Sequence, residues 1–301
     1  MGRCRPKGRF VAETVGVALV FLCLYAAAVL RLLPAGGEAQ DQWQDNQMRA
    51  QWYVQHAGGY AVVIAGSSMA ARLPADALPA GCYNLAMAGG GALTGLEIVL
   101  RTTPAPQVVL VEANDTLFRE ADQTVLRSVF QPITFRLRAL FPVLGDAYQP
   151  VSIATRLLRE RFNLMRDGAE PPLPPHVYEE LFAMQRQAQQ QVPPPQMLAA
   201  ALDRLGGVVQ RVQARGVHVA FFEIPIAPGL DDSPLRIATR QALAARFPPP
   251  RHTWLPRADA RDYVTRDGVH LQAASARQFA AFLGREADRI VSEPRNGPAP
   301  S

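Results

Sequence analysis

Four short polar blocks punctuate an otherwise apolar chain, and together their side chains could carry out acyl chemistry. The first is "VVIAGSSMAARL", Val62 to Leu73, where an apolar run stops at Gly66-Ser67-Ser68. A serine hydroxyl is a weak nucleophile until a base takes its proton. His270, in "RDGVHL", is suited to that task because an imidazole titrates near working pH. Asp267 lies three residues earlier, close enough within one loop turn to hold the other ring nitrogen and stabilise the imidazolium. Asp262 is a less apt rival for that acid. An attacked carbonyl leaves an oxyanion, which needs donors already in place, each worth about 3 kcal/mol of barrier. The Asn114 amide, the Gly89 N–H and the Ser68 N–H are candidates. Glycine suits such a post because backbone can approach a ligand closely there. Asp115 reads as a structural cap, and so does Ser67.

These blocks need elements to position them. "YAVVIAG", "QVVLVEA" and "VHVAFFEIP" are short, β-branched, nearly continuous apolar runs bounded by turn residues, which suit central parallel strands covered on both faces. "CYNLA" reads as a further short strand. Helical patterns run from Leu93 to Arg101, Gln196 to Arg215 and Gln272 to Ile290. Strand alternating with helix predicts an α/β fold with a doubly wound, mostly parallel sheet. In such sheets ligands bind beyond the carboxyl ends of the strands, where Ser67-Ser68, the glycines after Asn84, and Asn114-Asp115 all fall. Residues 117–191 break the alternation. They contain helical pieces at Val125 to Phe141 and Ile153 to Arg166 and the cluster "EPPLPP", which reads as a helical insertion, either a lid, a partner surface or core cover.

The N-terminus carries a different signal. Thr14 to Leu30 has no charge across 17 residues, and Leu32 and Leu33 extend it. That length approaches what a helix needs to cross about 30 Å of hydrocarbon. Arg3, Arg5, Lys7 and Arg9 precede it, so the positive-inside rule keeps the N-terminus cytoplasmic. A cleaved signal peptide shares this charge pattern, but "PAGGEAQ" lacks a clean A-x-A. From Pro34 onward 26 arginines face 25 acids, so the net charge of +5 is largely N-terminal. No basic stripe argues for nucleic acid. Cys4, Cys23 and Cys82 share no close spacing, so neither a metal knuckle nor a disulfide framework is expected. The implied organisation is a basic tail at 1–9, an anchor at 10–33, a juxtamembrane segment at 34–58 ending at Gly58-Gly59, an α/β domain at 59–291 and a disordered tail at 292–301. Trp43, Trp52 and Tyr53 suit either a membrane interface or burial against the domain.

In order and spacing the four blocks resemble the SGNH, or GDSL-like, hydrolase superfamily. "VVIAGSSM" is similar to its first block, with Ser68 in the nucleophile place and Ser67 where the family carries Asp. "NLAMAGG" is similar to its second block and sets Gly89 in the oxyanion role. "VVLVEAND" is similar to its third, giving Asn114 and Asp115, with Glu112 in place of a glycine. "DGVH" is similar to its last, giving Asp267 and His270. The resemblance covers roughly a quarter of the chain, Val62 to Leu117 and Asp267 to about Phe282. It implies a three-layer sandwich and an acyl-serine mechanism: Ser68, His270 and Asp267 catalytic, Gly89 and Asn114 oxyanion donors, no cofactor and no metal. With a single N-terminal anchor, the chain resembles bacterial envelope polysaccharide O-acetylation proteins that work beside a membrane-bound O-acyltransferase. That resemblance implies a single-pass inner-membrane protein with a periplasmic domain acting on an acylated polysaccharide or glycan. The alternative is an inactive glycan- or partner-binding module.

Overall fold

The computed structural model describes residues 7–33, 36–162 and 173–292. Arg3 and Arg5, part of the proline cluster, and residues 293–301 lie outside the described residues. The chain divides into two compact units.

The larger unit, residues 49–130 and 165–301, is built on five parallel strands. They are β1 (Val62–Ala65), β2 (Cys82–Asn84), β3 (Val108–Glu112), β4 (His218–Phe222) and β5 (Thr253–Trp254), in the order β2-β1-β3-β4-β5. Every residue of β1 and β3 is buried. That burial explains the unbroken apolar runs, because a central parallel strand has no wet face to mark with polar residues. Successive side chains still alternate between two cores. Val63, Ala65, Val109, Val111, Val219 and Phe221 face one of them. Val62, Ile64, Val108, Leu110, Ala220 and Phe222 face the other.

Helices cover both faces. In chain order the α-helices among the described residues are α1 (Lys7–Leu32), α2 (Gln42–His56), α3 (Ser68–Ala71), α4 (Ala92–Arg101), α5 (Gln123–Phe130), α6 (Pro132–Leu140), α7 (Pro150–Phe162), α8 (Pro175–Ala188), α9 (Pro195–Gln213), α10 (Pro228–Asp231), α11 (Pro234–Arg246) and α12 (Ala273–Ser292). The first core takes Leu96 and Val99 of α4, Val125 and Val129 of α5, and Leu205, Val209 and Val212 of α9. The second takes Ala276, Phe279, Ala280, Leu283 and Ala287 of α12, the three- and four-residue spacing of one buried helical stripe.

Three features depart from the sequence reading. β5 is two residues long, too short to leave a periodic signal. Val125 to Phe141 is two helices rather than one, because Gln131 caps α6 and Pro132 opens it. Ala50, Tyr53 and Ala57 join the first core, so the packed unit starts ahead of the Gly58-Gly59 pair. Tyr53 is fully buried there, Trp52 donates its indole N–H to the Tyr60 hydroxyl at 2.8 Å, and Trp43 is half exposed.

The smaller unit, residues 1–48 and 131–164, contains α1 with α6 and α7. The stretch Gly8–Leu32 of α1 is long and apolar enough to cross a membrane.

Candidate active site

The turn after β1 separates the two serines. Ser67 is the N-cap of α3 and its hydroxyl accepts from the Met69 N–H at 3.2 Å. It is 1% exposed. Ser68, one residue on, is partly exposed, and its hydroxyl lies 3.0 Å from His270 Nε2. His270 Nδ1 lies 2.7 Å from Asp267 Oδ2. A carboxylate only accepts, so Nδ1 carries the proton and Nε2 is left to accept from the Ser68 hydroxyl. Ser68, His270 and Asp267 thus form one hydrogen-bonded chain, although 202 positions separate Ser68 from His270. Asp262 sits apart on an exposed turn.

The loop that presents His270 is held from several sides. Asp267 Oδ1 accepts the N–H groups of Val269 at 3.1 Å and His270 at 2.8 Å. The Arg266 N–H donates to the His270 carbonyl, and Thr265 bridges Leu271. The Ala227 N–H donates to the carbonyl of Gly268, which has φ +95°. The loop after β4 is itself pinned by ion pairs: Glu223 and Asp231 both bind Arg240, and Glu223 lies 3.3 Å from the buried Arg236.

Burial alone would push the Asp267 carboxyl upward, but its bonds to the His270 ring and to backbone N–H groups outweigh that and hold it at about 2. The sign follows from linkage. A carboxylate with a depressed folded value stabilises the fold above its unfolded value, and that stability is lost as pH falls toward the folded one. Asp267→Asn is therefore expected to cost on the order of 2 kcal/mol at pH 7, with the difference from wild type shrinking between about pH 4 and pH 2. Urea titrations at pH 7 and pH 3 measure it, and equal losses at both would contradict the assignment.

The Asn114 amide is fully committed. Its Oδ1 accepts from the Thr116 N–H at 2.9 Å and the Thr116 hydroxyl at 2.6 Å, which caps the turn after β3 and sets which way the amide faces. Its Nδ2 donates to Glu112 Oε1 at 2.8 Å and to Ser67 Oγ at 3.1 Å. Two N–H bonds exhaust that nitrogen. Asp115 begins the next turn and is approached by the Gln189 amide at 3.4 Å, so the cap is Asn114 and not Asp115.

Among the described residues the N–H groups of Ser68 and Gly89 have no protein acceptor. Ser68 follows β1 and Gly89 follows β2, its neighbour in the sheet. Gly89 has φ +70°, a conformation that a side chain would strain. Its carbonyl accepts from Arg119.

Glu112 is the residue whose role the sequence did not convey, because a carboxylate ending an apolar strand reads only as an added charge. It is fully enclosed. Oε2 accepts from the Ser67 N–H at 2.6 Å while Oε1 takes the Asn114 amide. Burial pushes its pKa up, against the pull of the Ser67 backbone and hydroxyl donors and of Arg236. One carboxyl therefore ties the end of β3 to the Ser67-Ser68 turn. Gly66 is what admits it: a Cβ there would sit 2.5 Å from Glu112 Oε2, 2.8 Å from the Ala70 Cβ and 3.0 Å from the Glu112 Cβ. Gly66→Ala is expected to destabilise by about 1–3 kcal/mol through overpacking. A thermal melt matching wild type would refute that clash.

A cavity of about 470 Å³ opens beside the His270 loop, walled by Tyr178, Glu179, Tyr263, Thr265, Arg266 and Gln272 among others. Neither Ser68 nor His270 is part of its wall.

Comparison of the chain with family models, with curated proteins and with solved structures gave no match in any of the three.

Proposed function

We propose that this chain is a membrane-anchored SGNH-like serine O-acyltransferase or esterase, working outside the cytoplasmic membrane on acyl groups of envelope polysaccharide. The observation that carries the reading is the hydrogen-bonded run from Ser68 through His270 to Asp267. The apolar length of α1 supports the anchor.

Ser68 Oγ attacks the acyl carbonyl carbon while its proton passes to His270 Nε2. The oxyanion is met by the free N–H groups of Ser68 and Gly89. Asn114 joins them by exchanging its bond to Ser67 Oγ for one to the oxyanion. The carbon–oxygen bond to the departing alcohol then breaks, and the imidazolium returns the proton to that oxygen. An acceptor hydroxyl, from a sugar in transfer or from water in hydrolysis, gives its proton to His270 and attacks the acyl carbon; the bond from that carbon to Ser68 Oγ then breaks, and the imidazolium returns the proton to Ser68. Asp267, held ionised by its own hydrogen bonds, stabilises the imidazolium in both halves.

The test is a chromogenic acetyl ester offered to detergent-solubilised full-length protein, with intact-mass detection of an acyl adduct. Turnover with an adduct on Ser68 is the expected result. Neither turnover nor an adduct would leave the binding-module reading in its place. Protease protection in spheroplasts checks the topology, and a domain shielded on the cytoplasmic side would end the envelope assignment.

A further inference from the structure

The smaller unit carries two apolar surfaces, and only one of them is used. A stripe on α1 made of Leu22, Tyr25, Ala26, Val29 and Leu33 packs against Val143, Ala147, Tyr148 and Ile153. The Tyr25 hydroxyl donates to the Tyr148 carbonyl at 2.5 Å. The helices α6 and α7 on either side of that contact turn a second set of large apolar side chains outward. Leu140 is 72% exposed, Ile133 66%, Phe162 64% and Leu158 54%, with Phe141 and Leu157 beside them. So dense a set of bare apolar side chains marks a binding surface rather than ordinary exposure.

We propose that α6 and α7 lie in the bilayer, forming a shelf in the half of the membrane crossed by the C-terminal end of α1. The inference rests on α1 spanning the membrane and is independent of the catalytic reading. Depth is the first argument. Leu22 to Leu33 covers about 16 Å of helix axis, close to half of an apolar core about 30 Å thick. The turns that join α6 to α7, through Val143, Ala147 and Tyr148, and Ile153 in the first turn of α7 pack along that length, so both helices leave from its depth. Continuity is the second. The outward apolar side chains belong to the same short segment that grips α1, so lipid wetting the free sides of α1 there also wets α6 and α7. Charge is the third. Residues 131–162 contain five arginines and two acids, and Arg136 and Arg161 are exposed among the apolar side chains. Arginine stems lie along apolar surface while their heads reach out to phosphate, the arrangement of an interfacial helix on anionic lipid.

The test uses the full-length chain with its three cysteines replaced by serine. A nitroxide is attached at Leu140→Cys or Leu158→Cys in separate proteins, each reconstituted at one chain per nanodisc of phosphatidylcholine and phosphatidylglycerol. Met184→Cys, on the exposed side of α8 in the larger unit, is the aqueous reference. Collision with oxygen, which concentrates in lipid, is compared with collision with a water-soluble nickel chelate. The shelf requires oxygen collisions to exceed nickel collisions several-fold at both labelled positions, with the reverse at Met184. Nickel collisions dominating at both would show a water-facing surface and overturn the proposal. Exclusion of both reagents would show a protein covering the patch, and would overturn it too. Two positions on two helices keep the result readable if one label disturbs folding.

Discussion

Ser68→Ala is expected to leave a folded protein whose acetyl-ester turnover falls about 10⁴-fold or more and which forms no acyl adduct. The hydroxyl contacts His270 and caps nothing, so stability should change by less than about 0.5–1 kcal/mol. Ser67→Ala is the informative contrast. That change removes a helix cap and the partner of an Asn114 N–H, so its cost falls on stability, about 1–2 kcal/mol, while the adduct still forms on Ser68. If Ser67→Ala abolished the adduct and Ser68→Ala retained it, the nucleophile would be the buried serine and the site as described here would be wrong.

Glu112→Ala is expected to be the most damaging substitution for the fold near the site. It strands the Ser67 N–H and one Asn114 amide hydrogen without acceptors in a closed interior, at about 1–3 kcal/mol each, and opens a cavity beside them. A loss of about 3–5 kcal/mol is a large part of a typical domain stability near 5–15 kcal/mol. The carboxyl also titrates in an informative direction. Its folded pKa lies above its ordinary value near 4.5. The native state therefore holds its proton longer than the unfolded chain. The wild type loses stability as pH rises from 4.5 through the folded value, and the slope then vanishes. Glu112→Gln removes this titration while keeping one acceptor. Chemical denaturation across pH 4 to 9 should show the slope in wild type and its loss in Glu112→Gln. Identical pH profiles, or a Glu112→Ala protein as stable as wild type, would refute the tie between β3 and the nucleophile turn.

Glu112 and Ser67 also bear on each other. In the sequence they stand as two separate departures from the SGNH pattern, a carboxylate missing before Ser68 and a carboxylate added at the end of β3. In the fold they are hydrogen-bonded partners. The Ser67-Ser68 turn therefore has a carboxyl group beside it after all, supplied from the neighbouring strand.

The strands were legible because a buried parallel strand of β-branched residues is a local pattern: β1, β3 and β4 fall inside the runs that announce them. The long helices were legible for the same reason, α9 and α12 ending within two residues of their apolar periodicity. β5 was not, since two residues carry no period and its existence depends on Ala220 and Phe221 of β4 offering an edge. Nor was the place of Ala50, Tyr53 and Ala57 in the core. α2 is polar overall, and only the packing decides which of its few apolar residues are enclosed.

For the candidate site, the members and their order were readable along the chain: Gly66-Ser67-Ser68, Gly89, Asn114 and the Asp267–His270 spacing. Residue type and local spacing need no fold to be read. Which serine faces the imidazole followed from the folded chain, because that contact bridges 202 positions and the His270 loop is held by the segment after β4. The tertiary structure decided that Glu112 takes both the Ser67 N–H and an Asn114 hydrogen, because a buried carboxyl must find donors, and these lie at the end of the adjacent strand β1 and in the turn after its own strand. It also grouped α6 and α7 with α1 rather than with the sheet, because Val143, Ala147 and Tyr148 of the turns between them and Ile153 of α7 cover an apolar stripe on that helix.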